Sequence, residues 1–434
     1  MLPILTALLP LLSCEGGDDS GSPDDTGTPP PEPPGIEVAS DLARETDPDV
    51  SAGELAQLTA DNRAFAVNLL GVLGADEPGN LFLSPHSISV ALAMTWAGAR
   101  GETATQVADA LRFTLGADAL HPAFNRLDLD LATRDELDPE LYEEGEGFRL
   151  SVANQLFGQE GYAFEPDFLD VLALHYGAGL RALDFASDPD GHRVAINDWV
   201  EAVTEDRIVD LLPAGSITSM TRLVLVNAIY FKASWEVPFE VADTADAAFH
   251  RLDGSEVEVP TMNGELRSRC GTGPGYAVVD LPYIGQQLAM TLVVPDSGGF
   301  EAVRLSLTGE SLGTAMEGME PCELTLALPR WSFSTAFNAK DPLLTLGMVD
   351  AFGAEADFSG VTTTEALVIS GIYHQAFIAV NELGTEAAAA TAVIEDGTSA
   401  PEPVSLVVDR PFFFLVRDLP TGAVLFLGQL LDPS

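Results

Sequence analysis

The run ELGTEAAAATA, residues 382–392, constrains this chain more than any other stretch. Ala387, Ala388, Ala389 and Ala390 would suit a helix, yet they follow Gly384 and Thr385 and precede the β-branched Thr391, Val393 and Ile394. Taken with a period of two, one face carries Thr385, Ala387, Ala389, Thr391 and Val393, all compact enough to slide beneath a packed layer. The other face carries Glu386 and more alanine. A segment exposed in one state and buried as a central strand in another has this composition.

The 434 residues, 46% of them hydrophobic, can bury a large core. Sixty-seven acidic against 20 basic residues leave a formal net charge of -47, which repels nucleic acid and anionic lipid and argues against a heparin-like polyanion as partner. Three cysteines cannot supply a disulfide framework. Cys270 and Cys322 read most simply as free thiols, and their pairing is open at this level. Cys14 closes a short apolar run ending Leu11-Leu12-Ser13-Cys14, which resembles the lipobox of bacterial lipoproteins. Residues 1–13 are therefore expected to be a signal peptide and Cys14 a lipidated mature N-terminus. The run is too short to span a bilayer, so the lipid would be the sole membrane contact, holding the protein at the cell envelope or cell surface, facing periplasm or exterior. Residues 14–53, rich in Gly, Ser, Pro and Asp, read as a disordered tether.

Beyond the tether, residues 54–73 and 84–111 have helical spacing, the second opened by Ser84-Pro85, a cap followed by proline at the first helical position. The acidic patch at 128–146 reads as solvated loop, and residues 191–212, with Trp199, as an amphipathic helix. Apolar runs of strand length follow at 223–231, 288–294, 324–328, 377–380, 412–416 and 424–427. Helices mostly first and strands mostly later predict one α+β domain over 54–434. The six histidines lack metal-ligand spacing, Asp188 and Asp190 lack the rest of a calcium loop, and no cofactor motif is present. Gly309-Glu310-Ser311-Leu312-Gly313 fits the nucleophile-elbow pattern, but the amphipathic residues 304–308 do not make the buried strand an elbow needs, so no enzyme is expected.

Several strings together, over nearly all of residues 55–434, resemble a serpin. NLFLSPHSISVALAMTWAGARGET at 80–103 is similar to the family's early buried strand and helix. INDWVEAVTEDRIVDLL at 196–212 is similar to the helix across its main sheet, and VNAIYFKASWEVPF at 226–239 to the strand and turn that follow. LPYIGQQLAMTLVVPD, DRPFFFL at 409–415, which is the family's C-terminal signature, and the closing VLFLGQLLDP complete the family order.

The resemblance implies a serpin fold and a suicide substrate for a serine protease. An exposed reactive loop, about 382–408, would be cleaved, form a covalent acyl-enzyme and insert into the main sheet, dragging the protease with it. Glu382, Gly384, Thr385, Glu386 and Ala387 to Ala390 would be its hinge. Ser84, Ser87, Asn227 and His374 match the polar cluster where the sheet opens; Trp235 matches the tryptophan above it, and Arg330 is the expected partner of Glu382. Family spacing puts the scissile bond at Thr398-Ser399, while counting back from Arg410 points nearer Ala400. No Lys, Arg or aromatic residue lies between 386 and 409, which excludes trypsin-like proteases and favours elastase-like or subtilisin-like ones. Glu395 falls on the inward face and opposes the last stage of insertion. The protein is expected to be monomeric; the alternative is a non-inhibitory serpin acting as a surface binding lipoprotein.

Overall fold

The computed structural model describes residues 31–76, 79–134, 149–385 and 402–434. Cys14, Glu386, Ala387 to Ala390, Glu395 and the candidate bond residues Thr398, Ser399 and Ala400 lie outside the described residues. The helices are α1 (Ala52–Asp76), α2 (Pro85–Trp96), α3 (Gly101–Leu111), α4 (Ala117–Leu131), α5 (Pro166–Tyr176), α6 (Pro189–Val203), α7 (Phe300–Ser306), α8 (Gly309–Glu317) and α9 (Lys340–Thr345). Strands β1 (Ile36–Val38), β2 (Leu81–Leu83), β3 (Arg149–Gln159) and β4 (Leu180–Leu183) intersperse the first six helices. The rest follow as β5 (Leu223–Ser234), β6 (Ala245–His250), β7 (Glu256–Gly273), β8 (Tyr276–Pro282), β9 (Leu288–Pro295), β10 (Glu320–Pro329) and β11 (Trp331–Asn338). The chain closes with β12 (Gly371–Asn381), β13 (Gly384–Thr385), β14 (Glu402–Val407), β15 (Phe412–Asp418) and β16 (Val424–Leu430).

Two sheets organise these elements. The first runs β1-β4-β3-β5-β13-β12-β11; the second runs β14-β10-β7-β8-β9-β15-β16-β2, with β6 on β7. The α+β class expected from the sequence is the one observed. The runs 223–231, 288–294, 412–416 and 424–427 became strands covered on both faces, whereas 324–328 and 377–380 fall in strands whose burial alternates. Every residue of β15 and β16 is buried. Over the first sheet α6 lays Ile196, Trp199 and Val200 on Phe157 of β3 and on Val224 and Val226 of β5. Each such buried side chain contributes about 1.5–3 kcal/mol.

The structure departs from the sequence expectations in several places. Residues 84–111 form two helices, because the intervening turn passes so close to Val361 that a Cβ on Gly98 would lie 2.1 Å from its side chain. The helix expected to reach residue 212 stops at Val203, where Glu205 and Asp206 take positive φ of 52° and 60°. Asp128 belongs to α4, not to a solvated loop, and pairs with Arg44 at 2.6 Å.

The largest correction concerns the tether. From residue 31 the chain is an ordered strap on the domain, not a free coil: β1 pairs with β4, with Glu37 opposite Arg181. The Trp199 indole donates to the Pro31 carbonyl at 3.0 Å, and the Glu45 amide donates to Leu174 O at 2.9 Å. Gly35 turns the strap at φ +98°, with Ala182 O only 2.7 Å from where a Cβ would stand. Cys270 and Cys322, simplest as free thiols in the sequence, form a disulfide between β7 and β10, with their Cα atoms 5.8 Å apart.

Candidate functional site

β5 and β12 run parallel and pair directly from Val224 with Gly371 to Tyr230 with Phe377. Past that point they part, and β13 enters between them, antiparallel to both: Thr385 lies opposite Ala233 on one side and Val380 on the other. The seam between these two strands brings together the residues singled out in the sequence.

In the paired stretch, His374 stands in register with Asn227. The ring Nε2 accepts from the Ser84 amide at 3.2 Å, so the proton sits on Nδ1, which donates to Asn227 Oδ1. The Asn227 amide donates in turn to Ser87 Oγ. Ser84 caps α2: its Oγ accepts from the Ser87 amide at 3.2 Å and donates to Leu425 O at 2.8 Å. All four residues are buried. Burial of His374 pushes its pKa down to about 3, so it is a neutral connector and not a base. The chain Ser84–His374–Asn227–Ser87 thus ties α2 to both strands of the seam, and parting those strands breaks it.

In the parted stretch, Trp235 donates its indole N–H to Asn381 O at 3.0 Å and its amide to Leu383 O at 2.9 Å, pinning the turn from β12 into β13. Gly384 takes φ +151°, a backbone state that glycine alone adopts without strain, and this delivers Thr385 into the sheet. Glu382 is buried; it accepts from the Thr244 hydroxyl at 2.8 Å and meets the half-exposed Arg330 guanidinium at 3.5 Å. The predicted partnership of Arg330 and Glu382 is therefore present as a contact, shared with a threonine that the sequence did not point to.

Sequence reasoning also missed Tyr283. It follows Pro282 at the end of β8 in the second sheet and reaches across to place its hydroxyl 2.8 Å from Thr385 Oγ1. Its ring stacks on Trp235 at 4.7 Å and 12°. The visible signal was an aromatic in the LPYIGQQ string ahead of a glycine turn. Ser311 of the elbow-like motif lies elsewhere, in the first turn of α8 after α7, where its Oγ accepts from the Thr308 amide in a capping box. A helix, not a strand, precedes it.

β5 and β12 thus part at one end around β13, and a buried polar link joins them further along. The serpin (serine protease inhibitor) family model matches residues 60–433. The leukocyte elastase inhibitor of Bos taurus is 38% identical over 391 residues, covering 87% of this chain and all of that protein; its Homo sapiens counterpart is 36% identical over 388 residues, with the same coverage. Among solved structures, uncleaved ovalbumin superposes with a TM-score of 0.75 at 27% identity, covering 87% of this chain and all of that one. Tengpin, a thermophilic serpin in its native state, superposes at 0.76 with 26% identity, covering 91% of this chain and 97% of that one. The chain belongs to the serpin family.

Proposed function

We propose that the protein is a suicide-substrate inhibitor of serine proteases with elastase-like or subtilisin-like specificity. The protease serine attacks the carbonyl carbon of Thr398; the amide bond to Ser399 breaks as the ester forms, and Ser399 departs as a new amino terminus carrying the proton delivered by the protease's general acid. The register could instead fall at Ala400. The freed chain from Glu386 then follows Thr385 into the seam, separating Tyr230 from Phe377 and each pair beyond. Thirteen residues, from 386 to 398, laid in at about 3.3 Å each would carry the attached protease about 40 Å. Each new ladder bond contributes about 0.5–1.5 kcal/mol, and the inward alanines add no bulk to slow the process.

The observation that carries this function is the seated hinge: Thr385 already occupies the first rung between β5 and β12, and the next four residues after Glu386 are alanines. The 36–38% identity to leukocyte elastase inhibitors supports the same specificity as the small side chains of the loop. Incubation with pancreatic elastase or subtilisin is expected to yield a complex that survives boiling in detergent, with a C-terminal fragment beginning at Ser399. A clipped chain without complex, for every protease of both classes, would overturn inhibition and leave a non-inhibitory serpin.

A further inference from the structure

Thr385 lies in the first sheet and Tyr283 just past the end of β8 of the second, where it bridges to Trp235, yet their hydroxyls meet at 2.8 Å in a site where both residues are buried. A buried hydroxyl pair is satisfied only while both members are in place, and losing one strands the other. Tyr283 is itself immobilised: Trp235 stacks on one face, Phe231 meets it edge-on at 5.2 Å, and its amide donates to Leu288 O at 3.0 Å. The fixed member is therefore the tyrosine, and the member free to move is the threonine on the hinge.

We propose that Tyr283 is a positioning residue for loop insertion: its hydroxyl holds Thr385 in the sheet before any cleavage, so that the strand grows from a rung already made. The proposal rests on the inhibitory function above. Without the hydroxyl, Thr385 Oγ1 would be buried without a partner, the hinge would leave the seam, and insertion would have to begin by seating it. Delay at that step favours hydrolysis of the acyl-enzyme over trapping. Burial pushes the Tyr283 pKa upward, so the hydroxyl keeps its proton throughout the physiological range.

Tyr283→Phe keeps the ring and its stacking and removes only the oxygen. Hydrogen exchange of the backbone over residues 378–385 is expected to quicken about fivefold in this variant, the scale of one lost buried hydrogen bond. Adding Thr385→Val to Tyr283→Phe makes both partners apolar, and the protection should return. With elastase or subtilisin, Tyr283→Phe should raise the moles of inhibitor consumed per mole of protease by a similar factor. Unchanged exchange in Tyr283→Phe, or no recovery in the double variant, overturns the seating role. Faster exchange with unchanged stoichiometry overturns the link to insertion. If the wild-type chain traps no protease, the inhibitory function falls, and the exchange measurement still decides whether Tyr283 seats the hinge.

Discussion

The two ends of the β5–β12 seam are built on opposite plans. Where the strands pair directly, the contact is sealed by a buried polar relay through the neutral His374 and Asn227. Where they part, the hinge is held by an aromatic stack, backbone bonds and an ion pair whose arginine is half exposed. The first arrangement is costly to open, since each polar group must find a new partner. The second is already open and wedged. Under the proposed insertion, opening would run from Thr385 toward His374, and the polar relay lies on that path.

The largest test of this contrast is Thr385→Arg. A guanidinium in a site with no exposure costs several kcal/mol, about 3–5 by comparison with broken buried pairs. The ratio of clipped chain to trapped protease on denaturing gels should rise more than tenfold, by about that scale of penalty. An unchanged ratio would break the distinction between the two ends.

His374→Ala attacks the paired end. It strands the Ser84 amide and Asn227 Oδ1 and leaves a cavity, which together should lower unfolding free energy by about 2–4 kcal/mol in urea titrations. The same residue sets a pH slope. Its folded pKa of about 3 lies below the unfolded value of about 6.5, so the unfolded chain takes up the proton first. The contribution is complete above about pH 6.5 and is lost as pH falls toward 3, by up to about 1.4 kcal/mol per pH unit. His86 and His121, held down to about 4 by burial, act in the same direction. The wild-type slope between pH 6 and 5 should exceed that of His374→Ala; equal slopes would assign the effect to other groups, His175 among them, whose pKa burial also lowers.

The smallest effect belongs to Arg330→Ala. Because the guanidinium is half exposed and Glu382 keeps its bond from Thr244, the loss should stay under about 1 kcal/mol in the same titration. A larger loss would mean that the parted end leans on charge more than its geometry implies.

Much of the centre of both sheets was legible beforehand, since β5 of the first and β15 and β16 of the second are apolar at most positions and permit few other assignments. Composition also singled out residues 382–385, the turn that leads into β13. The partners of those segments were not: Tyr283 meets Thr385 across two sheets, a contact set by tertiary register that no local pattern carries. The disulfide depends equally on register, because Cys270 and Cys322 meet only once β7 and β10 are aligned. The strap was misjudged for another reason. Its proline and glycine content does forbid a core of its own, yet three residues at a sheet edge and a few bonds to Trp199, Asn125 and Leu174 suffice to hold it on a core built by others.

One pairing in the second sheet bears on time as well as shape. β2, made early in synthesis, lies against β16, where Leu83 faces Leu427 only a few residues before the chain ends. β15, fully buried between β9 and β16, also waits for the last stretch of chain. Contacts so far apart in sequence form slowly. β14 pairs with β10 in the second sheet while β13 sits in the first, so the chain on either side of residues 386–401 is held by different sheets. Pairing at the β2 edge of the second sheet is thus a late event in folding, because it closes some of the longest loops in the chain.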